Sequence, residues 1–455
     1  MTLRHTGLML LFFLIVYPMW VTGGTQTAWQ LPLPLLAALL LGTIVLVSHR
    51  RLWRDPITFL GGAFLLLLIQ WWNSPRPQVF DSLIQAWVFA PPPVPFLPSA
   101  VSRPDAAEML RWFFPVWTIA LAARHLDLRE TLTTRRFLNA ILIAAALLAF
   151  GSIIQFAIAT QWNCGTIPSK SYFVTSFGYG NQAGSFFVLC FSIAIGFMLS
   201  TLLHRQPVRA KVWSVLCSLL MLGGGLISLS RSAIILSLIV LAFTALYVLT
   251  FRIGQTSRAT RFNRLMATLA IATAAFLAIY PLVGDSVVDE LSRRYPETAE
   301  LCLPANWTHS ALENIRPIYR EIAVKVLRDN FWFGAGGWAV RHLGIIYLPL
   351  KQHSLLQTEG AANTHNDTLQ FLSEFGVLGM ALLWTGIGVI ATPLIRHWRT
   401  LWNSPRTVFN ILGLLAITIH SNFDIPFRSP AILFLWTLVL CLTAQEGAAV
   451  FKRQA

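Results

Sequence analysis

Apolar runs of about twenty residues recur along this chain of 455 residues and constrain its fold more than any other feature. A helix needs about 20 apolar residues to cross a bilayer. With 55% hydrophobic and 12% charged residues and a mean hydropathy of +0.62, the chain is far more apolar than a soluble domain. We therefore predict an all-α polytopic membrane protein with about twelve transmembrane helices. The predicted spans are residues 7–22, 32–48, 57–72, 109–123, 137–160, 182–203, 211–228, 233–251, 265–283, 376–395, 407–421 and 430–448.

The connections between these spans differ in charge at the two ends of the predicted bundle. Most of the 34 basic residues lie at one end, and most of the 19 acidic residues lie at the other. The basic segments are Ser48–Arg54, Arg124–Arg136, His204–Lys211, Arg252–Arg264, Arg396–Arg406 and the tail with Lys452 and Arg453. The positive-inside rule predicts that this end and both termini are cytoplasmic. Because the basic residues are spread over many short connections, the net charge of +15 does not indicate a nucleic-acid partner.

The longest polar stretch divides the chain into three predicted parts. Residues 1–283 hold the first nine spans, 284–375 form a large, partly helical periplasmic loop, and 376–455 hold the last three spans and a cytoplasmic tail. The first span has no small-residue cleavage site, so we expect a retained helix. Cys164 and Cys302 both fall on the outer side, where they either form a disulfide or remain free thiols. Cysteine spacing indicates no metal site.

A polar segment centred on His365 precedes the tenth predicted span. Asn363 or Thr364 is the predicted N-cap of a helix that would place the imidazole in its first turn. The positive end of the helix dipole favours a neutral ring there, the state that a general base requires. The alternative is an ordinary polar residue at the membrane interface.

Two further polar segments interrupt the apolar runs on the same side. Arg231, within Ser228–Ser232, needs an anion or a water-filled cavity at this depth, unless its side chain reaches the headgroups. In the segment His420–Arg428, Asp424 is expected to hold His420 or Arg428 in place, a structural role that is favoured at least as much as catalysis.

The large loop contributes a predicted helix and a glycine-rich turn. The helix begins at Arg316 and ends near Asp329, and Arg316 and Arg320 share one side of it because they lie one turn apart. Gly334–Gly337 then form a tight turn between aromatic residues. Its backbone amides either approach a phosphate or close a simple interfacial turn, and the second interpretation is favoured.

These motifs, in this order and on this side, carry a resemblance to a known family. The residues concerned are Arg231, Arg316, Gly334–Gly337, His365, Asn366, Leu369, Glu374, Gly376 and Gly379. Over roughly residues 175–440 the pattern resembles the O-antigen ligase and O-antigen polymerase superfamily of bacterial lipid-linked glycan transferases. The Pro-rich segment Pro91–Pro95 departs from that pattern, and we expect it to be a stiff extended loop.

The resemblance implies a glycosyltransferase C-like fold and a metal-independent glycosyltransferase without a cofactor in the bacterial inner membrane. The implied donor is an undecaprenyl-diphosphate-linked glycan, which is transferred to an acceptor hydroxyl on the periplasmic face. The acceptor is lipid A core in a ligase, or a second lipid-linked glycan in an exopolysaccharide or O-antigen polymerase. A membrane transporter is the alternative of another class, but it would place ionisable groups at mid-depth, where these spans carry almost none.

The resemblance also implies roles for individual residues. His365 would be the catalytic base, and Arg231, Arg316 and Arg320 would bind the pyrophosphate through paired, charge-assisted hydrogen bonds. Supporting roles fall to Asn366, Asp424 and His420. No metal ligand is expected, because guanidinium groups can neutralise a diphosphate leaving group.

Overall fold

A computed structural model describes the chain in ten stretches. These are residues 2–74, 79–83, 86–88, 91–126, 128, 131–157, 176–203, 206–250, 316–347 and 363–454. The predicted span 265–283, Cys164 and Cys302 lie outside them, so that span and the disulfide stay predictions. Within the described ranges the fold is helical, apart from an antiparallel pair of short strands, β1 (Val79–Asp81) and β2 (Ala86–Val88).

Fifteen α-helices follow one another in the described ranges. The first nine are α1 (Leu3–Trp20), α2 (Pro32–Leu52), α3 (Pro56–Phe59), α4 (Gly62–Trp72), α5 (Arg103–His125), α6 (Thr131–Ala157), α7 (Gly180–Leu203), α8 (Val208–Ile227) and α9 (Arg231–Thr250). The other six are α10 (Arg316–Asp329), α11 (Ala339–Tyr347), α12 (Asp367–Arg396), α13 (Trp398–Leu401), α14 (Pro405–His420) and α15 (Pro430–Gln454).

The helices confirm the predicted membrane class. Eleven of the twelve predicted spans coincide with helices in the described ranges. Seven helices there are long and apolar enough to cross a membrane, namely α1, α2, α6, α7, α8, α9 and α12. The apolar part of α15, Pro430–Glu446, is shorter. The predicted span 57–72 is divided into α3 and α4 at Leu60 and Gly61, where Gly61 and Gly62 are poor helix formers.

Helix α7 lies at the centre of the bundle and packs mainly against α8 and α14. It is buried along almost its whole length, and small residues allow its neighbours to approach closely. A Cβ added to Gly184 would lie 2.5 Å from Ala233 Cβ and 2.7 Å from Ser228 Oγ. This contact fixes the turn before Arg231 against the beginning of α7.

Helices α10 and α11 pack on the first half of α12. On α10, Tyr319, Ile322 and Val326 are buried. Helix α12 is interrupted at Gly376, whose φ is 64° and ψ is −175°. A Cβ there would lie 2.5 Å from the Gly334 backbone nitrogen, so glycine is required. The predicted span 376–395 begins at this break.

The glycine-rich turn uses its backbone amides for this docking. Ala335 N donates to Ser373 O at 3.0 Å, and Gly336 N donates to Glu374 O at 2.9 Å. Gly334 N is also occupied, because it donates to Asn330 O at 2.8 Å. These three amides therefore cannot cradle a phosphate, and the turn has the structural role that the sequence favoured.

The expectation of an extended loop at Pro91–Pro95 was wrong. Bends and turns continue through Leu97 in this region. The Asn73 side chain accepts from Val94 N at 2.9 Å and donates to Val94 O at 2.9 Å and Leu97 O at 3.0 Å. Asn73 thus supplies hydrogen bonds to a segment whose prolines have no backbone N–H to donate.

Candidate functional site

His365 lies immediately before α12 and not in its first turn, so the predicted cap was wrong. The N-cap is Asn366, whose side-chain oxygen accepts from Leu369 N at 2.9 Å. Thr364 instead bonds the Asn366 backbone through its hydroxyl. His365 has a left-handed backbone with a φ of 50°. This conformation costs a non-glycine residue about 1–3 kcal/mol and occurs most often at functional sites.

The His365 ring contacts Asp424, which lies between α14 and α15. Nδ1 of His365 is 3.2 Å from Asp424 Oδ1. The His365 side chain is 24% exposed, whereas that of Asp424 is only 2% exposed. Burial alone would raise the pKa of Asp424, but the hydrogen bond from His365 and the charge of Arg316 hold this pKa below its usual value. An ionised Asp424 only accepts, so His365 Nδ1 carries the proton of this hydrogen bond.

Residues at the beginning of α7 complete the surroundings of Asp424. Tyr179 donates its hydroxyl to Oδ2 at 3.2 Å, and Asn181 donates its amide to the same oxygen. The Ile425 backbone amide donates to Oδ1 at 2.9 Å. Sequence reasoning missed Tyr179 and Asn181. The available signal was a polar cluster directly before a span without charged residues.

His420 lies beside this cluster and joins two helices. Its Nδ1 is 2.9 Å from Ser185 Oγ on α7. Asp424 bonds His420 through a backbone hydrogen bond, in which Asp424 N donates to His420 O at 3.0 Å. Within the described ranges, His420 Nε2 is buried without a hydrogen-bond partner. His420 therefore positions α14 against α7, and it is not held by the Asp424 carboxylate as expected.

Arg316 is the arginine that the structure brings to Asp424. Its Nη2 is 4.0 Å from Asp424 Oδ2, and its Nη1 donates to Phe423 O at 3.4 Å. The side chain is 39% exposed, so it can also reach a ligand. Arg320 follows one turn later on α10.

Arg231 is exposed at the first residue of α9. The turn before it packs on Gly184, next to Ser185 in α7. All three predicted arginines therefore belong to elements at the same end of the bundle, and Arg316 contacts Asp424 directly.

A second charged cluster is wholly buried beneath the first. Arg428 Nη2 is 2.7 Å from Glu374 Oε2, and Arg428 Nε is 3.5 Å from Asp367 Oδ1. The rings of Trp338 and Phe371 each lie 4.5 Å from the guanidinium carbon. All three charged side chains are at most 1% exposed. The expectation that Asp424 holds Arg428 was wrong, because Arg428 points to α12.

A family model described as O-antigen ligase matches residues 216–384. Residues 216–384 belong to the O-antigen ligase superfamily. The predicted family is thus confirmed, and the matched range contains His365, Arg231, Arg316 and Arg320, whereas Asp424 lies beyond it. No curated protein matches the chain.

The match over residues 216–384 bears on the general activity. It supports a glycosyltransferase-like enzyme with ligase-type or polymerase-type glycan transfer, acting on lipid-linked glycans in a multi-pass bacterial membrane protein. Within the ranges that the structure describes, no group of three or more His, Cys, Asp or Glu side chains is placed to hold a metal ion.

An apolar cavity of about 700 Å³ reaches the beginning of α12. Its walls come from α4, α5, α12, α14 and α15, and its polar end reaches Asp367, Thr368 and Ser421. Asp367 and Ser421 are joined by a 2.7 Å backbone hydrogen bond, and each lies two or three residues from His365 or Asp424. Exposed wall residues such as Trp384 and Leu415 open the cavity to the side of the bundle.

Proposed function

We propose that this protein transfers a glycan from undecaprenyl diphosphate to an acceptor hydroxyl on the periplasmic face of the bacterial inner membrane. The observation that carries the proposal is the contact of His365 with a buried Asp424, beside the half-exposed Arg316. A histidine oriented by a carboxylate is a general base, and an adjacent guanidinium suits a phosphate.

His365 takes the acceptor proton in the proposed reaction. The acceptor oxygen attacks the anomeric carbon of the donor sugar and loses its proton to Nε2 of His365. Asp424 keeps the proton of the ring on Nδ1 and stabilises the imidazolium that forms. Tyr179 and Asn181 hold Asp424 in place, and Asn366 fixes the turn at the beginning of α12.

Arg316 stabilises the leaving group as the bond between the anomeric carbon and the phosphate oxygen breaks. The bonding electron pair leaves with the diphosphate, whose negative charge increases in the transition state. Arg316 binds this charge, and Arg231 and Arg320 extend the basic surface along the glycan path. We expect transfer without a metal ion, and activity that persists in a chelator would agree with this.

The apolar cavity offers a place for the polyprenyl tail. Its walls are formed almost entirely by apolar side chains, and its polar end lies below His365 and Asp424. A lipid tail that entered from the side would place its diphosphate at the level of Arg316. This arrangement favours transfer chemistry over transport, because the charged site lies at one end of the bundle and not across it.

The lipopolysaccharide of a deletion strain tests the proposal and separates its two forms. Loss of polymer from lipid A core, with accumulation of lipid-linked polymer, would identify a ligase. Core that carries a single repeat unit would identify a polymerase. An unchanged profile, together with glycan uptake by liposomes that contain the purified protein, would contradict the proposal in favour of a transporter.

A further inference from the structure

A second cavity, of about 220 Å³, lies at the opposite end of the bundle from His365. Three of the basic connections that the sequence places on one face of the membrane meet there. Arg135 and Arg136 come from the first turns of α6, Gln206 and Ala210 come from the beginning of α8, and Arg406 comes from the first turn of α14. Among the described residues, no acidic side chain lines the cavity.

Two buried hydrogen-bond donors in the cavity wall lack an acceptor. Arg406 Nη1 and Trp213 Nε1 are shielded from solvent and have no hydrogen-bond partner in the described ranges. Glu446 lies 3.5 Å from Arg406 Nη1, which forms an ion pair but not a hydrogen bond. Buried donors without an acceptor are costly and rare in folded proteins. A bound anion would satisfy both.

The charge around the cavity also favours an anion. Arg135 and Arg406 interact electrostatically as like charges, and Arg136 adds a third positive charge to the wall. The Glu446 carboxylate offsets only one of them. A phosphate group would relieve this repulsion, and Asn139 and Thr201 add neutral polar atoms to the wall.

The surroundings of the cavity favour a lipid as the source of the phosphate. Its inner wall is apolar where Leu142, Ala194 and Phe197 line it. Outside, Val212 and Leu216 form an exposed apolar stripe on α8. Acyl chains can lie along such a surface while the headgroup enters the basic cavity. Basic pockets between membrane helices are known to bind anionic headgroups.

We propose that this cavity binds the phosphate headgroup of an anionic phospholipid at the basic face of the membrane. Arg135, Arg136 and Arg406 bind the phosphate oxygens, and Trp213 donates its indole N–H. The site is separate from the glycan-transfer site and links α6, α8 and α14 through one lipid.

Lipid titration of the purified full-length protein tests this proposal. The thermal unfolding midpoint is followed in mixed micelles as phosphatidylglycerol, phosphatidylcholine or inorganic phosphate is added. We expect saturable stabilisation by phosphatidylglycerol and much weaker effects of the other two. Equal stabilisation by inorganic phosphate would show that the cavity binds a free anion and not a lipid headgroup. No stabilisation by phosphatidylglycerol would overturn the proposed site.

Matched variants show whether the cavity is responsible. Arg135→Gln with Arg136→Gln should weaken phosphatidylglycerol binding about thirtyfold, since each basic residue near an anionic surface contributes a free energy equivalent to about a fivefold change. Arg51→Gln with Arg54→Gln removes two exposed charges from the same face and should leave the affinity unchanged. Equal losses in both pairs would indicate general surface attraction and contradict the proposal.

Trp213→Phe removes the indole donor and keeps an aromatic ring. We expect about tenfold weaker phosphatidylglycerol binding, with an unchanged unfolding midpoint in zwitterionic detergent alone. Unchanged affinity would overturn the role of the Trp213 N–H. A lower midpoint without lipid, combined with wild-type affinity, would show that Trp213 only packs in the wall.

Discussion

Two charged clusters at the beginning of α12 each combine an arginine with an aspartate but differ in exposure. The cluster of His365, Asp424 and Arg316 leaves parts of two side chains accessible, at 24% for His365 and 39% for Arg316. The cluster of Arg428, Asp367 and Glu374 is sealed from solvent. Sequence alone places Asp367 two residues from His365, and Arg428 four residues from Asp424.

This difference in exposure separates residues that can act on a substrate from neighbouring residues that stabilise the fold. In the buried cluster, one guanidinium pairs with two carboxylates, and all three side chains are sealed from solvent. In the exposed cluster, the buried Asp424 holds the ring of His365, and the ring and the Arg316 guanidinium remain partly accessible. Among the six residues of the two clusters, only His365 has a positive φ. Backbone strain is therefore confined to the exposed cluster. Substitutions should therefore affect stability in one cluster and activity in the other.

Arg428→Met should have the largest effect, on folding. The substitution leaves Asp367 and Glu374 buried without a counter-charge, which costs about 3–5 kcal/mol. We expect the amount of protein in the membrane to fall sharply. Arg428→Met combined with Asp367→Asn and Glu374→Gln should recover part of that amount. Normal accumulation of the single variant would remove the proposed distinction between the clusters.

Asp424→Asn and Asp367→Asn compare one substitution in the two clusters. In Asp424→Asn the ring of His365 loses its charged acceptor, and we expect glycan transfer to fall by about tenfold to a thousandfold. Asp367→Asn leaves the pair of Arg428 and Glu374 intact, so transfer should persist. Initial rates of transfer by matched amounts of each purified variant measure the difference. Equal losses would mean that both carboxylates act in the same way.

Arg316→Ala should reduce transfer by about tenfold to a hundredfold, because one charge-assisted hydrogen bond to the leaving group is lost. Arg316→Lys keeps the charge but not the planar fork, and it should retain intermediate activity. Arg328→Ala, at an exposed position near the end of the same helix, is the control and should behave as wild type. The ranking of the three rates is the measurement, and equal rates for Ala and Lys would contradict the phosphate role.

Asp105→Asn should have the smallest effect, on the docking of α11 against α5. His342 Nε2 lies 2.5 Å from Asp105 Oδ2 at a partly exposed site, where such a pair contributes about 1 kcal/mol at most. Burial would raise the pKa of Asp105, but hydrogen bonds from His342 and Ser102 hold this pKa below its usual value.

The pH dependence of the Asp105 contribution has a definite sign. A lowered folded-state pKa stabilises the protein above the unfolded pKa, about 3.9, and this stabilisation is lost as the pH falls through the folded pKa. The difference in thermal midpoint between wild type and Asp105→Asn should therefore be larger at pH 7 than at pH 3. A difference that grows toward pH 3 would contradict this assignment.

Much of the fold was accessible from sequence because membrane helices are encoded locally. Eleven of the twelve apolar runs coincide with helices in the described ranges, and the Arg316–Pro317 pair predicted the beginning of α10. The beginning of helix α12 was harder to predict, since its polar first half begins at Asp367, before the apolar run. Asn366 is the N-cap because the Thr364 hydroxyl bonds the Asn366 backbone instead of capping the helix. The N-cap preferences of the residue types alone cannot distinguish these two arrangements.

The partners within the site were not accessible in the same way. Sequence placed His365, Arg316 and Asp424 on one side of the membrane, but His365 and Asp424 are 59 residues apart. Their contact depends on how the ends of α7, α12 and α14 meet. Local spacing instead suggested Arg428 as a partner of Asp424, and the packing of Arg428 against Trp338 and Phe371 directs it elsewhere.

The His365→Gly variant tests the central claim most directly, because it removes the ring and relieves the strained backbone together. Purified wild type and variant are compared for glycan transfer from an undecaprenyl-diphosphate donor and for thermal unfolding in the same detergent. We predict a loss of transfer of about a hundredfold to ten-thousandfold, with an unfolding midpoint equal to or above that of wild type. Wild-type transfer by His365→Gly would contradict the account.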